Sequence, residues 1–153
     1  MRTLVFALLT LSLVPLVEAQ TKLPYFNVNS KGLWVEGYDP VAYLLDSKAV
    51  EGKAQFTNSY MGATFRFASQ AHLDLFKKEP AKYLPQYGGW CAYALGANNE
   101  KVEVDPETFK IKDGKLFLFY NAFFNNTLTT WNEEEIRLYP AAERNWAAMQ
   151  HAK

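Results

Sequence analysis

The 153-residue sequence has few metal-binding and redox-active side chains, with one cysteine, Cys91, and two histidines. A single thiol cannot form a disulfide within the chain, so Cys91 is free, buried, metal-bound or paired with another molecule. Net charge is absent too, because Lys and Arg total 16 and Asp and Glu also total 16. Nucleic-acid binders usually carry a basic stripe that meets the phosphates, so this balance argues against a nucleic-acid partner.

Long apolar runs are missing except at the N-terminus, where residues 4–17 are interrupted by only three other residues. This run is shorter than the roughly 20 residues that span a bilayer. Arg2 precedes it and VEA at residues 17–19 follows it, so residues 1–19 are predicted to be a signal peptide and Gln20 the start of the mature chain. The prediction is an exported protein, periplasmic or secreted, without stable membrane insertion after cleavage. The alternative is an uncleaved anchor, which a proline inside the run disfavours.

Residues 20–153 are predicted to form a single domain, because no repeat, low-complexity tract or linker interrupts them. The hydrophobic content of 49% is sufficient for a substantial core. The predicted elements are a helix from Pro40 capped by Asp39, strands at 55–60 and 63–67, a helix from the Ser69 cap to Glu79, a further helical turn at 81–84, strands at 109–112 and 115–120, and helices at 121–131 and 133–149, the last divided by Pro140.

Two turn dipeptides join the predicted strands into hairpins: Met61-Gly62 and Asp113-Gly114. The strand at 115–120 is apolar on both faces, which predicts a central, covered strand. The fold class is therefore α+β, with a small antiparallel sheet made of two hairpins and covered by several short helices. The aromatic and glycine-containing segment at 87–93 is predicted to pack closely against other backbone.

Four sequence strings, taken in order, resemble the YHS domain in its stand-alone exported bacterial form. They are GYDPVAY at residues 37–43, FRFAS at 65–69, FKKEPAKY at 76–83 and QYGGWCAY at 86–93. Each string alone is weak, but their order over residues 37–93 is specific. The resemblance implies a non-enzymatic binding module with the α+β fold described above.

Metal-binding YHS domains and the related TRASH-type domains carry cysteine ligands at three positions, which the resemblance places at Ala42, Ala68 and His72 of this chain. Two of the three residues here have no donor atom, so the thiolate site of those relatives is absent. A reduced site for copper or zinc remains as a hypothesis, with His72 and Cys91 as ligands and Met61, Asp39, a tyrosine or water completing it. The alternative is that His72 and Cys91 are structural residues.

A second hypothesis, from a different class, is a metal-free module that binds a small ligand or a protein partner through an aromatic pocket. The candidate pocket residues are Asp39, Tyr43, Met61, Tyr87, Trp90 and Tyr93. The aromatic residues are better explained as core, because the sheet needs cover. A third hypothesis is a thiol-dependent enzyme or redox protein built on Cys91, although the chain has no recognisable catalytic constellation.

Overall fold

The computed structural model describes residues 25–151, so the predicted signal peptide lies outside the described residues. The helices are α1 (Pro40–Asp46), α2 (Gln70–Lys78), α3 (Pro80–Tyr83), α4 (Ala92–Asn98) and α5 (Thr127–His151), with 3₁₀ turns at Val35–Gly37 and Gln86–Gly89. The strands are β1 (Lys53–Tyr60), β2 (Ala63–Phe67), β3 (Asp105–Lys112), β4 (Lys115–Phe119), β5 (Asn121–Ala122) and β6 (Asn125–Asn126). These elements confirm the predicted α+β class.

The strands pair as three antiparallel hairpins, β1 with β2, β3 with β4 and β5 with β6. The two predicted turns are confirmed, since Met61, Gly62, Asp113 and Gly114 all have positive φ. The predicted caps are confirmed as well. The Asp39 side chain accepts hydrogen bonds at the start of α1, and the Ser69 side chain accepts one at the start of α2.

Two hydrophobic cores lie on opposite faces of β4. The first core consists of Phe26, Trp34, Val35, Val41, Tyr43, Ala63, Phe65, Phe67, Leu73, Phe76, Tyr83, Leu116 and Leu118. The second core consists of Tyr87, Trp90, Ala92, Leu95, Phe117, Phe119, Trp131, Leu138 and Ala142. Because successive side chains of a strand point to opposite faces, β4 supplies Leu116 and Leu118 to one core and Phe117 and Phe119 to the other.

The prediction that this strand is covered on both faces is correct, but the prediction that it is central in its sheet is wrong. β4 pairs with one full strand, β3, and the sheet has two strands. An isolated parallel bridge joins Leu118 of β4 to Cys91. The Cys91 segment therefore takes the place that a third strand would fill.

Two predictions about the C-terminal third are wrong. Residues 121–126 form a hairpin instead of a helix, in keeping with three asparagines whose amides compete with helical hydrogen bonds. Pro140 does not divide the last helix, because Thr127–His151 stays helical on both sides of it; the break lies instead at Glu134, where non-helical angles kink the helix close to the predicted boundary between 131 and 133. Pro140 leaves the carbonyl of Ile136 without its helical N–H donor. Because Ile136 is 95% exposed, water can satisfy that carbonyl.

The 3₁₀ turn at Gln86–Gly89 forms hydrogen bonds with the N-terminal segment of the described chain. The Gly88 carbonyl accepts hydrogen bonds from the Asn27 amide (3.0 Å) and from the Trp34 indole (3.1 Å). A Cβ atom on Gly88 would lie 2.2 Å from the Tyr25 carbonyl oxygen, and Gly88 has a φ of +65°. The predicted close approach of this segment to other backbone is therefore confirmed, and it requires glycine.

Candidate functional site

The Asp39 carboxylate is fully buried and is the centre of a polar cluster. Its position follows from the Asp-Pro sequence, because Asp39 caps α1 and Pro40 occupies the first helical position. Oδ1 accepts hydrogen bonds from the amides of Val41 (2.8 Å) and Ala42 (3.3 Å). Oδ2 accepts from the Ala68 amide (2.8 Å) and lies 2.6 Å from Nδ1 of His72. Four donors thus meet one carboxylate that is 0% exposed.

His72 reaches this carboxylate from the first turn of α2. Its backbone amide donates to the Ser69 hydroxyl at 3.2 Å, which fixes the start of the helix. Because Nδ1 faces a carboxylate oxygen, Nδ1 carries the proton and donates it to Asp39. Nε2 points the other way and lies 3.8 Å from the Asp46 carboxylate at the end of α1. His72 thereby links both ends of α1 to α2.

The three ligand positions of metal-binding relatives meet at Asp39. The backbone amides of Ala42 and Ala68 and the ring of His72 all bind its carboxylate. The chain therefore brings these three positions together, but it joins them by hydrogen bonds to a carboxylate instead of by thiolates on a metal ion. Beyond its role as the cap of α1, Asp39 was predicted only as an additional metal ligand or a pocket residue. In the structure its carboxylate is the common acceptor of this cluster.

The described residues around His72 offer two groups to a metal ion, Nε2 of His72 and the Asp46 carboxylate. A histidine that donates from Nδ1 to a carboxylate is well oriented to ligate through Nε2, and Asp46 offers a second oxygen there. Structural and catalytic zinc sites use three or four protein ligands. Within residues 25–151, no group of three or more His, Cys, Asp or Glu side chains is arranged to hold a metal ion.

Cys91 lies in different surroundings from His72. Its sulfur accepts a hydrogen bond from the Tyr120 amide at 3.3 Å and lies 3.5 Å from the Thr127 hydroxyl. Its backbone amide donates to the Val102 carbonyl at 3.0 Å. The residue is 0% exposed. The side-chain contacts of His72 are with Asp39 and Asp46 at the two ends of α1, and those of Cys91 are with Tyr120 and Thr127, so the two predicted ligands share no hydrogen-bond partner.

Beside Cys91 the structure has a cavity of about 260 Å³. It is lined by Cys91, Tyr93, Ala94, Asn98, Val102, Tyr120, Asn125 and Thr127. All these side chains are uncharged; Cys91, Ala94 and Thr127 are buried in the wall, and the more exposed residues offer amide groups and two tyrosine rings. The cavity is slightly smaller than the roughly 300–1,000 Å³ of sites for drug-sized molecules. Its size and lining suit a small neutral ligand. A second cavity, between Asn27 and Val104, has a volume of only about 60 Å³.

The predicted pocket residues are distributed over the molecule and do not share this cavity, with the exception of Tyr93. Tyr43 is buried in the first core, where its hydroxyl donates to the Pro106 carbonyl at 2.7 Å. Tyr87 and Trp90 belong to the second core. Met61 is 63% exposed at the turn between β1 and β2. The aromatic residues act chiefly as core because the two faces of β4 both require cover.

Hydrogen bonds anchor the polar ends of the buried aromatic residues. The Tyr87 hydroxyl donates to Glu143 at 2.8 Å, and the Trp90 indole donates to the Tyr25 carbonyl at 3.0 Å. Burial raises the pKa of Tyr87 above its ordinary value, and the hydrogen bond to Glu143 raises it further. Burial likewise raises the pKa of Tyr43. These hydroxyls remain neutral donors far into the alkaline range.

Sequence reasoning missed Tyr120 and Thr127, which share the cavity with Cys91. Thr127 is 36 residues from Cys91, and its hydroxyl donates to the Tyr120 carbonyl at 2.8 Å. No periodicity or spacing reveals a contact across that distance in the chain. The incorrect prediction of a helix at 121–131 also hid the contact between Thr127 and Cys91, because it left out the hairpin at 121–126 that precedes Thr127.

Comparison with protein families matches residues 41–87 to the YHS domain. The match starts in α1 and ends in the 3₁₀ turn at Gln86–Gly89, so it includes Ala42, Ala68 and His72 but neither Asp39 nor Cys91. Searches of curated proteins and of solved structures found no match.

Proposed function

The chain is a YHS domain-containing protein, and we propose that it is an exported, non-enzymatic module that binds a small uncharged molecule in the cavity beside Cys91. The observation that carries this proposal is the cavity itself, about 260 Å³ in volume and lined entirely by uncharged residues. At the three positions that the resemblance assigns to metal ligands, Ala42 and Ala68 have no side-chain donor and His72 is hydrogen-bonded to Asp39. The cavity, whose lining includes none of these residues, is the better-supported site for a ligand.

The exported part of this proposal rests on the sequence of residues 1–19. In the part of the chain that the structure describes, no helix is long and apolar enough to cross a membrane. The non-enzymatic part rests on the state of the thiol. Cys91 is fully buried and its sulfur accepts a backbone hydrogen bond, whereas reactive cysteines are partly exposed in electropositive surroundings.

The cavity predicts a local response to a small neutral probe such as phenol. We expect phenol to bind with a Kd on the order of 1 mM and to shift the amide NMR signals of Cys91, Tyr93 and Thr127. Ala94 lines the cavity and is buried, so Ala94→Leu fills the space and weakens binding by at least about tenfold.

Ala71→Leu is the matched control, because Ala71 is exposed on α2 and the substitution adds the same volume. We expect it to bind phenol as the wild type does. Shifts spread over the surface, or equal binding by the Ala94→Leu variant, would contradict the assignment of the cavity as the ligand site.

The metal hypothesis from the sequence predicts tight, stoichiometric Cu(I) or Zn(II) binding that is lost in both His72→Ala and Cys91→Ala. Because the structure gives these side chains separate partners, we expect neither metal to bind in a manner that depends on both residues. Metal titration of the untagged wild type beside the two variants measures this. Stoichiometric binding abolished by each substitution would restore the metal hypothesis and reject the metal-free one.

A further inference from the structure

The β5–β6 hairpin presents two phenylalanines at its tip. Phe123 and Phe124 are 91% and 111% exposed, the latter more than in a reference peptide. They occupy both central positions of a two-residue turn, with φ of +51° and +62°. Exposed large apolar side chains are ordinary when single, but two adjacent ones at the end of a projecting hairpin form a defined apolar tip.

This tip departs from two local rules. Both turn positions need positive φ, for which Asn-Gly is the favoured pair and bulky side chains are strained. Full exposure of two phenyl rings to water is also unfavourable. No buried contact compensates for either cost, since the rings touch solvent. Residues held in strained backbone without a packing reason are typical of sites that contact something outside the chain.

The base of the hairpin is held firmly, so the tip projects in a fixed direction. The Asn121 side-chain amide donates to Thr108 (3.0 Å) and to the Asp105 carboxylate (3.3 Å), which ties β5 to β3. The Thr127 amide donates to the Tyr120 carbonyl at 3.0 Å and closes the hairpin at its base. A fixed apolar tip loses little conformational entropy on binding.

We propose that this tip inserts reversibly into the interfacial region of a lipid bilayer. Two phenylalanines offer about 300–500 Å² of surface, whereas a stable protein interface takes about 800 Å² from each partner. The flanking residues are the small polar Asn121, Asn125 and Asn126 and the small, half-buried Ala122, so they add little apolar surface for a protein interface. A bilayer requires only an apolar tip of this size with a polar base.

The absence of charged side chains in the hairpin also favours a lipid bilayer as its binding partner. Residues 116–132 contain no Asp, Glu, Lys, Arg or His, so the hairpin brings no charged side chain of its own to the membrane surface. Transfer of charge into the bilayer is the main cost of shallow insertion, and here the hairpin avoids it. The contact also lacks the basic residues that recognise anionic lipids. Attachment should therefore be independent of anionic lipid and of salt, and weak enough to be reversible.

The first test is flotation of the full chain with vesicles of zwitterionic phosphatidylcholine in 0.15 M and 1 M NaCl. Phe123→Asn combined with Phe124→Gly gives the turn its favoured residues, so folding is preserved, and we expect the vesicle-bound fraction to fall at least about tenfold. Ile136→Ser is the matched control, because Ile136 is 95% exposed on α5, and it should bind as the wild type does. Equal binding by the wild type and the double variant would overturn the proposal.

The second test locates the contact independently of the N-terminal apolar segment. Tryptophan introduced as Phe124→Trp should be quenched by bromine-labelled lipid, whereas tryptophan introduced as Ile136→Trp should not. Equal quenching in the two variants would reject insertion at the tip. Sedimentation velocity tests whether the tip binds a second copy of the chain instead. A dimer that forms with the wild type but not with the double variant would support that alternative and reject the bilayer.

Discussion

Asp39→Asn is expected to lower the free energy of unfolding by about 2–6 kcal/mol, because two donors each lose their acceptor at a cost of about 1–3 kcal/mol. The amide has a single oxygen, whereas the carboxylate receives four donors. The new NH₂ group would face two N–H donors that no longer have an acceptor. Urea unfolding at pH 7 measures the change. Since single domains are stable by about 5–15 kcal/mol, this variant should be close to unfolding.

Asp46→Asn is the matched control for this prediction. Asp46 also faces His72, but at 3.8 Å and with 44% of its side chain exposed. Exposed pairs contribute about 0–1 kcal/mol, so the control should unfold almost as the wild type does. Similar losses in the two variants would mean that the Asp39 cluster has no special part in holding α1, β2 and α2 together.

Alkaline unfolding is the second large effect that the structure predicts. The pKa of Tyr43 is raised by burial, and that of Tyr87 is raised by burial and by Glu143. Below the unfolded-state pKa of about 10, both hydroxyls are neutral in both states and the stability is fully present. Above pH 10 the unfolded chain releases from these two tyrosines two protons that the folded chain retains, so this pair alone lowers stability by about 2.7 kcal/mol per pH unit. By pH 12 the loss is about 5 kcal/mol.

The measurement is urea unfolding at intervals from pH 8 to pH 12. Tyr87→Phe should reduce the slope above pH 10 by about 1.4 kcal/mol per pH unit, because one group with a raised pKa is removed, and Tyr43→Phe should do the same. Each variant also loses a side-chain hydrogen bond, and its stability at pH 8, below the unfolded-state tyrosine pKa of about 10, separates that cost from the pH dependence. A slope unchanged in both variants would show that other groups govern alkaline stability.

Local chemistry made part of this fold predictable. Two helix starts were predicted from the capping residues Asp39 and Ser69, and one hairpin from Asp113-Gly114. These predictions succeed because capping and turn formation depend on residues only about three or four positions apart. The apolar character of both faces of β4 likewise indicated cover on both sides. The resemblance at residues 37–93 then located the positions that meet around Asp39, although it carried no information about what joins them there.

The remainder depended on contacts that the sequence pattern does not encode. Asp39 and His72 are 33 residues apart and Cys91 and Thr127 are 36 apart, so their separate clusters became visible only in three dimensions. Phe123-Phe124 carries no turn signal, since its residues are among those least suited to positive φ. Sequence-based prediction of a hairpin turn relies on Gly, Asn or Asp at the positions with positive φ. Because Phe123-Phe124 lacks these residues, the turn was not predicted and a helix at 121–131 was predicted instead.

The Gly88 carbonyl has a consequence for where an autonomous folding unit begins and ends. The family match covers residues 41–87, yet Gly88 receives the Asn27 amide and the Trp34 indole, and Trp34 is completely buried in the first core. A fragment cut at the limits of the match would lack the donors, the acceptor and β4, whose leucines close that core. The matched stretch is thus an inner segment of a larger structural unit, which we expect to require expression as a whole and to unfold as a whole.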